Sequence, residues 1–188
     1  SDVYKRQLLG VCVTAQHREM LDQVLNLFEL TPDMDLDLMR KGQSLTNLTS
    51  MVMIKIKDAI DLVKPNLILV HGDTTTSMAT ALVAFYSGIR VAHVEAGLRT
   101  DDINEPFPEE ANRRLISQLS TLHFAPTKKS AENLKKEGIV ERVFITGNTV
   151  VDVLLEESKR NFIPQFLKKI DLKHQKLVLA TFHRRENW

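Results

Sequence analysis

The sequence predicts an α/β fold, a parallel sheet flanked by helices, and three observations carry that reading. Short runs rich in Leu, Ile and Val recur along the 188 residues and alternate with longer stretches of helical periodicity. Several of these runs are nearly unbroken in apolar residues, the pattern of strands covered on both faces of a parallel sheet. The intervening stretches also have readable ends, so the chain reads strand, helix, strand, helix.

The first run spans residues 8–14 and contains the single cysteine, Cys12, which is expected to be an inert core thiol. Alone it can form neither an internal disulfide nor a thiolate metal cage. Across residues 17–28, Met20, Leu21, Val24, Leu25 and Phe28 share one stripe at three- and four-residue spacing, an amphipathic helix. Residues 35–38 alternate acid and leucine and suit an edge strand. The longest helical pattern, 44–63, must stop before Pro65. A strand at 67–70 leads into a helix at 74–86 that opens on three threonines, good N-cap candidates, and closes at Gly88. After the strand at 91–94, the helix at 108–119 starts with Pro108, Glu109 and Glu110, chemistry that the positive end of a helix favours. Strands at 122–125 and 143–145 bracket a helix at 127–137. A helix at 148–160, a lysine-containing linker at 161–175 and a strand at 177–181 follow. Residues 1–7 show neither cap nor strand pattern.

Charge and composition narrow the function. Lys and Arg total 25 against 24 Asp and Glu, a net charge of +1, with 43% apolar residues. That is an ordinary globular profile rather than a disordered one. It offers no basic excess to neutralise phosphates, so nucleic acid is not an expected partner. The longest apolar run, residues 81–86, is six residues, whereas a membrane span needs about 20. With no secretory leader pattern, the expectation is a cytosolic protein without a membrane partner.

In open parallel sheets, ligands bind beyond the carboxyl ends of the strands. There the sequence places His71, Gly72 and Asp73 after one strand, Glu95 to Arg99 after the next, and His183, Arg184 and Arg185 after the last. Glu109 and Glu110 add acids at a helix start. Each also has a plainer role: Asp73 as a helix cap, His71 as a hydrogen-bonded core histidine, Glu109 as a partner of the helix dipole, the arginines as solvated surface. The pairs His71/Asp73 and His93/Glu95 lie two apart on strands, so a bound metal is a weaker alternative. No G-x-G-x-x-G and no G-x-x-x-x-G-K-[ST] occurs, which argues against a dinucleotide-binding domain and a P-loop NTPase. Acid/base chemistry without a redox cofactor is left.

Six motifs then carry a resemblance. They are Thr14-Ala15-Gln16-His17-Arg18-Glu19, His71-Gly72-Asp73-Thr74-Thr75-Thr76, His93-Val94-Glu95-Ala96-Gly97-Leu98-Arg99-Thr100, Pro108-Glu109-Glu110-Ala111-Asn112-Arg113, Ile145-Thr146-Gly147-Asn148-Thr149-Val150 and His183-Arg184-Arg185-Glu186-Asn187. In their order and approximate spacing they resemble the non-hydrolysing bacterial UDP-N-acetylglucosamine 2-epimerases, over essentially residues 8–188. The resemblance implies the N-terminal half of a GT-B-like fold, two Rossmann-like domains facing across a cleft. It sets residues 8–160 as the first domain, lacking its first strand and loop, and 161–188 as a linker and the first strand of a truncated second domain. It implies a cofactor-free and metal-free isomerase of polysaccharide precursor supply that interconverts UDP-GlcNAc and UDP-ManNAc by eliminating and re-adding UDP through 2-acetamidoglucal. A homodimer is implied for the full-length enzyme, and inactivity for the present length. The catalytic residues it implies are Asp73, Glu95, Glu109 and His183, with Asp73, Glu95, His183 and Arg184 binding substrate. Gln16, Glu109 and Arg184 would form an allosteric substrate site. Phe182 departs from the family, which generally has a small residue there. The alternatives are a hydrolysing epimerase that releases ManNAc and UDP, and a non-catalytic sugar-nucleotide binding module.

Overall fold

The computed structural model describes residues 8–15, 18–40, 42–159, 167, 170, 176–178 and 180. The chain divides into two compact units, Ser1–Asn148 and Thr149–Trp188. The first contains β1 (Cys12–Val13), α1 (Arg18–Leu27), β2 (Met34–Asp35), α2 (Leu45–Val63), β3 (Leu67–His71), α3 (Thr75–Tyr86), β4 (Arg90–Val94), α4 (Glu109–Leu119), β5 (Leu122–Ala125), α5 (Lys128–Lys136) and β6 (Val143–Ile145). The second unit contains helix α6 (Thr149–Glu157).

All strand pairs are parallel. β3, β4, β5 and β6 lie side by side in chain order, while β1 and β2 form a separate pair. Each neighbour in the larger sheet is reached through one helix, as parallel pairing requires. The helices begin where the sequence offers oxygen to orphan N–H groups: Ser44, Thr74 and Thr127 accept from the amides three residues on. α2 stops at Val63, with Lys64 in the left-handed conformation just before Pro65.

Two apolar clusters hold the first unit. One joins Leu38 to Leu48, Val52, Ile56 and Ile60 of α2 and to Ala79 and Val83 of α3. The other joins Val70 and Val91 of the sheet to Ala81 and Ala84 of α3 and Ile116 of α4. The α2 residues recur every four positions, which turns one face of that helix inward.

Several expectations change. The strands expected at 8–14 and 35–38 shrink to two residues each, and Cys12 is exposed rather than in a core. A two-strand pair cannot cover both faces of its own strands. The surroundings of Cys12 desolvate its thiolate and the Asp35 carboxylate repels it, so its pKa is pushed up and the thiol is a weak nucleophile. β4 is buried as a central strand should be, but among the described residues β3 is an edge, and Leu69 at its middle is 57% exposed. The strand expected at 177–181 falls partly outside the described residues, and 176–178 are not in a strand. Among the described residues no helix is long and apolar enough to cross a membrane.

Candidate active site

β3 and β4 pair with His71 opposite Val94, so their carboxyl ends open onto one rim. The Gly72 amide continues the ladder by donating to the Val94 carbonyl at 3.0 Å. Gly72 has φ +69°, and a Cβ there would lie 3.4 Å from Oε2 of Glu95. The Glu95 carboxylate therefore lies over Gly72, immediately beside Asp73 in the chain. Glu95 itself has φ 68°, a left-handed backbone that a residue with a Cβ adopts at a cost of roughly 1–2 kcal/mol. Strain of this kind concentrates where a side chain must be aimed.

His71 Nε2 stands 3.5 Å from Glu95 Oε2. With its side chain 60% exposed, His71 is not the packed histidine expected, because it is the last residue of β3 and projects at the rim. His93 takes the buried place instead. It has no solvent exposure, and its Nε2 lies 2.8 Å from the Gly72 carbonyl oxygen. Burial lowers its pKa to about 4, so the ring is neutral at ordinary pH and donates its Nε2 proton to that carbonyl. Engaged and enclosed in this way, His93 cannot turn with His71, Asp73 and Glu95 towards one ion. Among the described residues no group of three or more His, Cys, Asp or Glu is arranged to hold a metal.

Helix α4 closes the other side of Asp73. Arg113 Nη2 meets Asp73 Oδ2 at 2.6 Å, and Asn112 Nδ2 donates to the Asp73 carbonyl at 2.9 Å. Glu109 is the first residue of the same helix, one turn before Arg113. The structure thus gathers Asp73 and Glu95 at one rim and places Glu109 on the helix that grips Asp73. Glu110 is not a solvated partner of the helix dipole. It has no exposure, accepts hydrogen bonds from the Thr100 amide and Arg114 Nε, and lies 3.5 Å from Arg113 Nη1 as an ion pair. Arg99, also largely buried, forks onto Glu137 at 2.7 and 2.8 Å and donates to Ser117 Oγ. The guanidinium holds the Glu137 carboxyl below its usual range.

Asn112 and Arg113 are absent from the site residues expected from sequence, and Glu110, named there only as an acid at a helix start, is buried behind Arg113. The signal was present as Glu110-x-x-Arg113-Arg114, whose three- and four-residue spacing puts acid and guanidinium on one helical face. His183, Arg184 and Gln16 lie outside the described residues.

Comparison with known proteins gives the chain a family. The family model for UDP-N-acetylglucosamine 2-epimerase matches residues 4–188. The UDP-N-acetylglucosamine 2-epimerase of Salmonella typhimurium is 51% identical over 187 residues, covering 95% of this chain and 50% of that protein. The crystal structure of UDP-GlcNAc 2-epimerase from Neisseria meningitidis bound to UDP-GlcNAc aligns with TM-score 0.75 at 51% identity, over 85% of this chain and 42% of that one. A crystal structure from Listeria monocytogenes reaches TM-score 0.88 at 49% identity, over 95% and 47%. The chain spans about half the length of the curated relatives it matches. The motifs, the parallel sheet and the acidic rim converge with these likenesses: the chain belongs to the UDP-N-acetylglucosamine 2-epimerase family.

Proposed function

We propose that the intact protein containing this chain interconverts UDP-GlcNAc and UDP-ManNAc without releasing free sugar, and that the present length is inactive alone. The observation that carries the proposal is the position of Asp73 and Glu95 just past the carboxyl ends of the neighbouring strands β3 and β4, with Glu109 on the adjoining helix. Inverting a carbon needs proton acceptors and donors on both of its faces, which separate strand-end loops can supply.

The route is elimination and re-addition. A carboxylate removes the C2 proton, the C2–H electron pair forms the C1=C2 bond, and the C1–O bond breaks with its pair leaving on the UDP oxygen. UDP then adds back to C1 and a carboxylic acid protonates C2 from the opposite face. The C2–H is a weak acid, so a positioned carboxylate and a stabilised leaving group are both needed. His183 and Arg184 are assigned to the negative charge that grows on departing UDP. Gln16, Glu109 and Arg184 are assigned to a second, activating substrate site, and a homodimer to the intact protein. Residues 8–160 are read as the first domain and 161–188 as the entry to a second.

The test is the intact gene product with UDP-GlcNAc in deuterated buffer, without metal or NAD, followed by NMR. The expected result is UDP-ManNAc carrying deuterium at C2, with deuterium also entering the recovered UDP-GlcNAc. Asp73→Asn and Glu95→Gln should each lower kcat by about 10²-fold or more. Stoichiometric free UDP with ManNAc would assign the hydrolysing reaction instead, and no exchange at C2 would refute the elimination.

A further inference from the structure

Asp73 is held at three points rather than presented on a free loop. His93 donates to the carbonyl of Gly72 at 2.8 Å, which fixes the peptide entering Asp73. Asn112 donates to the carbonyl of Asp73 at 2.9 Å, which fixes the peptide leaving it. Arg113 then takes the carboxylate itself, Nη2 to Oδ2 at 2.6 Å. Asn112 and Arg113 sit next to each other on α4, whose first residue is Glu109. One rigid helix therefore sets Asp73 and Glu109 relative to each other.

Arg113 is itself held from behind. Its Nη1 lies 3.5 Å from Oε2 of Glu110, a carboxylate with no solvent exposure. Glu110 is locked in turn by the Thr100 amide at 3.0 Å and Arg114 Nε at 2.7 Å. A carboxylate taken wholly out of water is expensive unless paired, and apolar residues of similar size often serve stability as well or better. Besides the Thr100 amide and Arg114, the charge it faces is the Arg113 guanidinium. We propose that Glu110 and Arg113 form a positioning relay for Asp73: Glu110 orients the Arg113 guanidinium, and Arg113 fixes the carboxylate for proton transfer. The relay rests on the assignment of Asp73 to the reaction. Neither Glu110 nor Arg113 touches substrate in it. Lysine cannot replace Arg113 fully, because one ammonium cannot span Asp73 and Glu110 with the planar fork that guanidinium offers.

The test compares variants of the intact gene product by steady-state kinetics. Arg113→Ala should lower kcat about 10²-fold, the loss associated with a misplacement of roughly 1 Å, with KM changed less than about threefold. Added guanidinium ion should restore at least about tenfold of that loss, and Arg113→Lys should fall between wild type and Arg113→Ala. A kcat of Arg113→Ala within about threefold of wild type, a loss confined to KM, or no response to guanidinium overturns the relay. Should Arg113→Ala fail to fold, Glu110→Gln with Arg113→Gln removes both charges together while keeping a polar side chain at each position. That pair should show the same fall in kcat, and wild-type kcat in it overturns the relay equally. Asp73→Asn separates the two levels. Full activity there removes Asp73 from the reaction, whereas an inactive Asp73→Asn beside active Arg113 variants removes the relay alone.

Discussion

His93 on β4 and Glu95 just past its end serve opposite purposes, and each makes a measurable prediction. Burial holds the His93 pKa at about 4, against 6.5 in the unfolded chain. The unfolded state therefore takes up the proton first as pH falls. Stability from this group is complete above about pH 6.5 and is lost as pH drops towards 4, by about 3 kcal/mol in all. Buried His123, directly across on β5, has its pKa lowered as well and adds to the same slope. Denaturant unfolding at several pH values should show that slope, and His93→Gln should flatten it. Glu95 is strained in the left-handed region with φ 68°. Glu95→Gly should raise stability by about 1 kcal/mol while removing the proposed carboxylate, so melting temperature and activity should move in opposite directions. Gly97 is the reverse case. A Cβ there would stand 2.2 Å from the Ser130 carbonyl oxygen, so Gly97→Ala should cost about 3 kcal/mol or more in thermal unfolding. Asp73, Glu95 and Glu109 could be singled out in the sequence because they follow strand ends or open a helix. The spacing of Glu110, Arg113 and Arg114 shows a charged helical face, but not that it meets Asp73, since 39 residues separate Asn112 from the carbonyl it bonds.

At the scale of elements, α4 and α5 build the site from behind. α5 approaches the loop after β4 closely enough for Asn133 Nδ2 to bond the Gly97 carbonyl at 3.0 Å. The start of α5 rests on Thr127, whose hydroxyl accepts from the Ser130 amide. Thr127→Ala should destabilise the protein by about 1 kcal/mol, read as a fall in melting temperature, and Thr127→Ser should recover most of it. The helices were legible because their caps and apolar stripes are local: Ser44, Thr74 and Thr127 start α2, α3 and α5 as their side-chain chemistry suggests. Strand lengths were less so. The run at 8–14 has apolar residues enough for a strand, yet only Cys12 and Val13 pair. A strand extends only as far as its neighbour, and the neighbour of β1 is the two-residue β2.

For the whole molecule, two apolar clusters hold the first unit, and the chain spans about half the length of the curated relatives it matches. The 188-residue chain by itself should therefore exchange no deuterium into C2 of UDP-GlcNAc, whereas the intact product should; NMR of both under the same conditions checks this. The sequence by itself determined the alternation of strands and helices, the caps and the residues at strand ends, because each of these depends on neighbours within a few positions. Tertiary structure alone decided that β3 is an edge among the described strands, that His93 rather than His71 is enclosed, and that a buried Glu110 stands behind Arg113 and Asp73. Edge or centre, exposed or enclosed, paired or free are properties of what another part of the chain places alongside, and no local pattern encodes that placement.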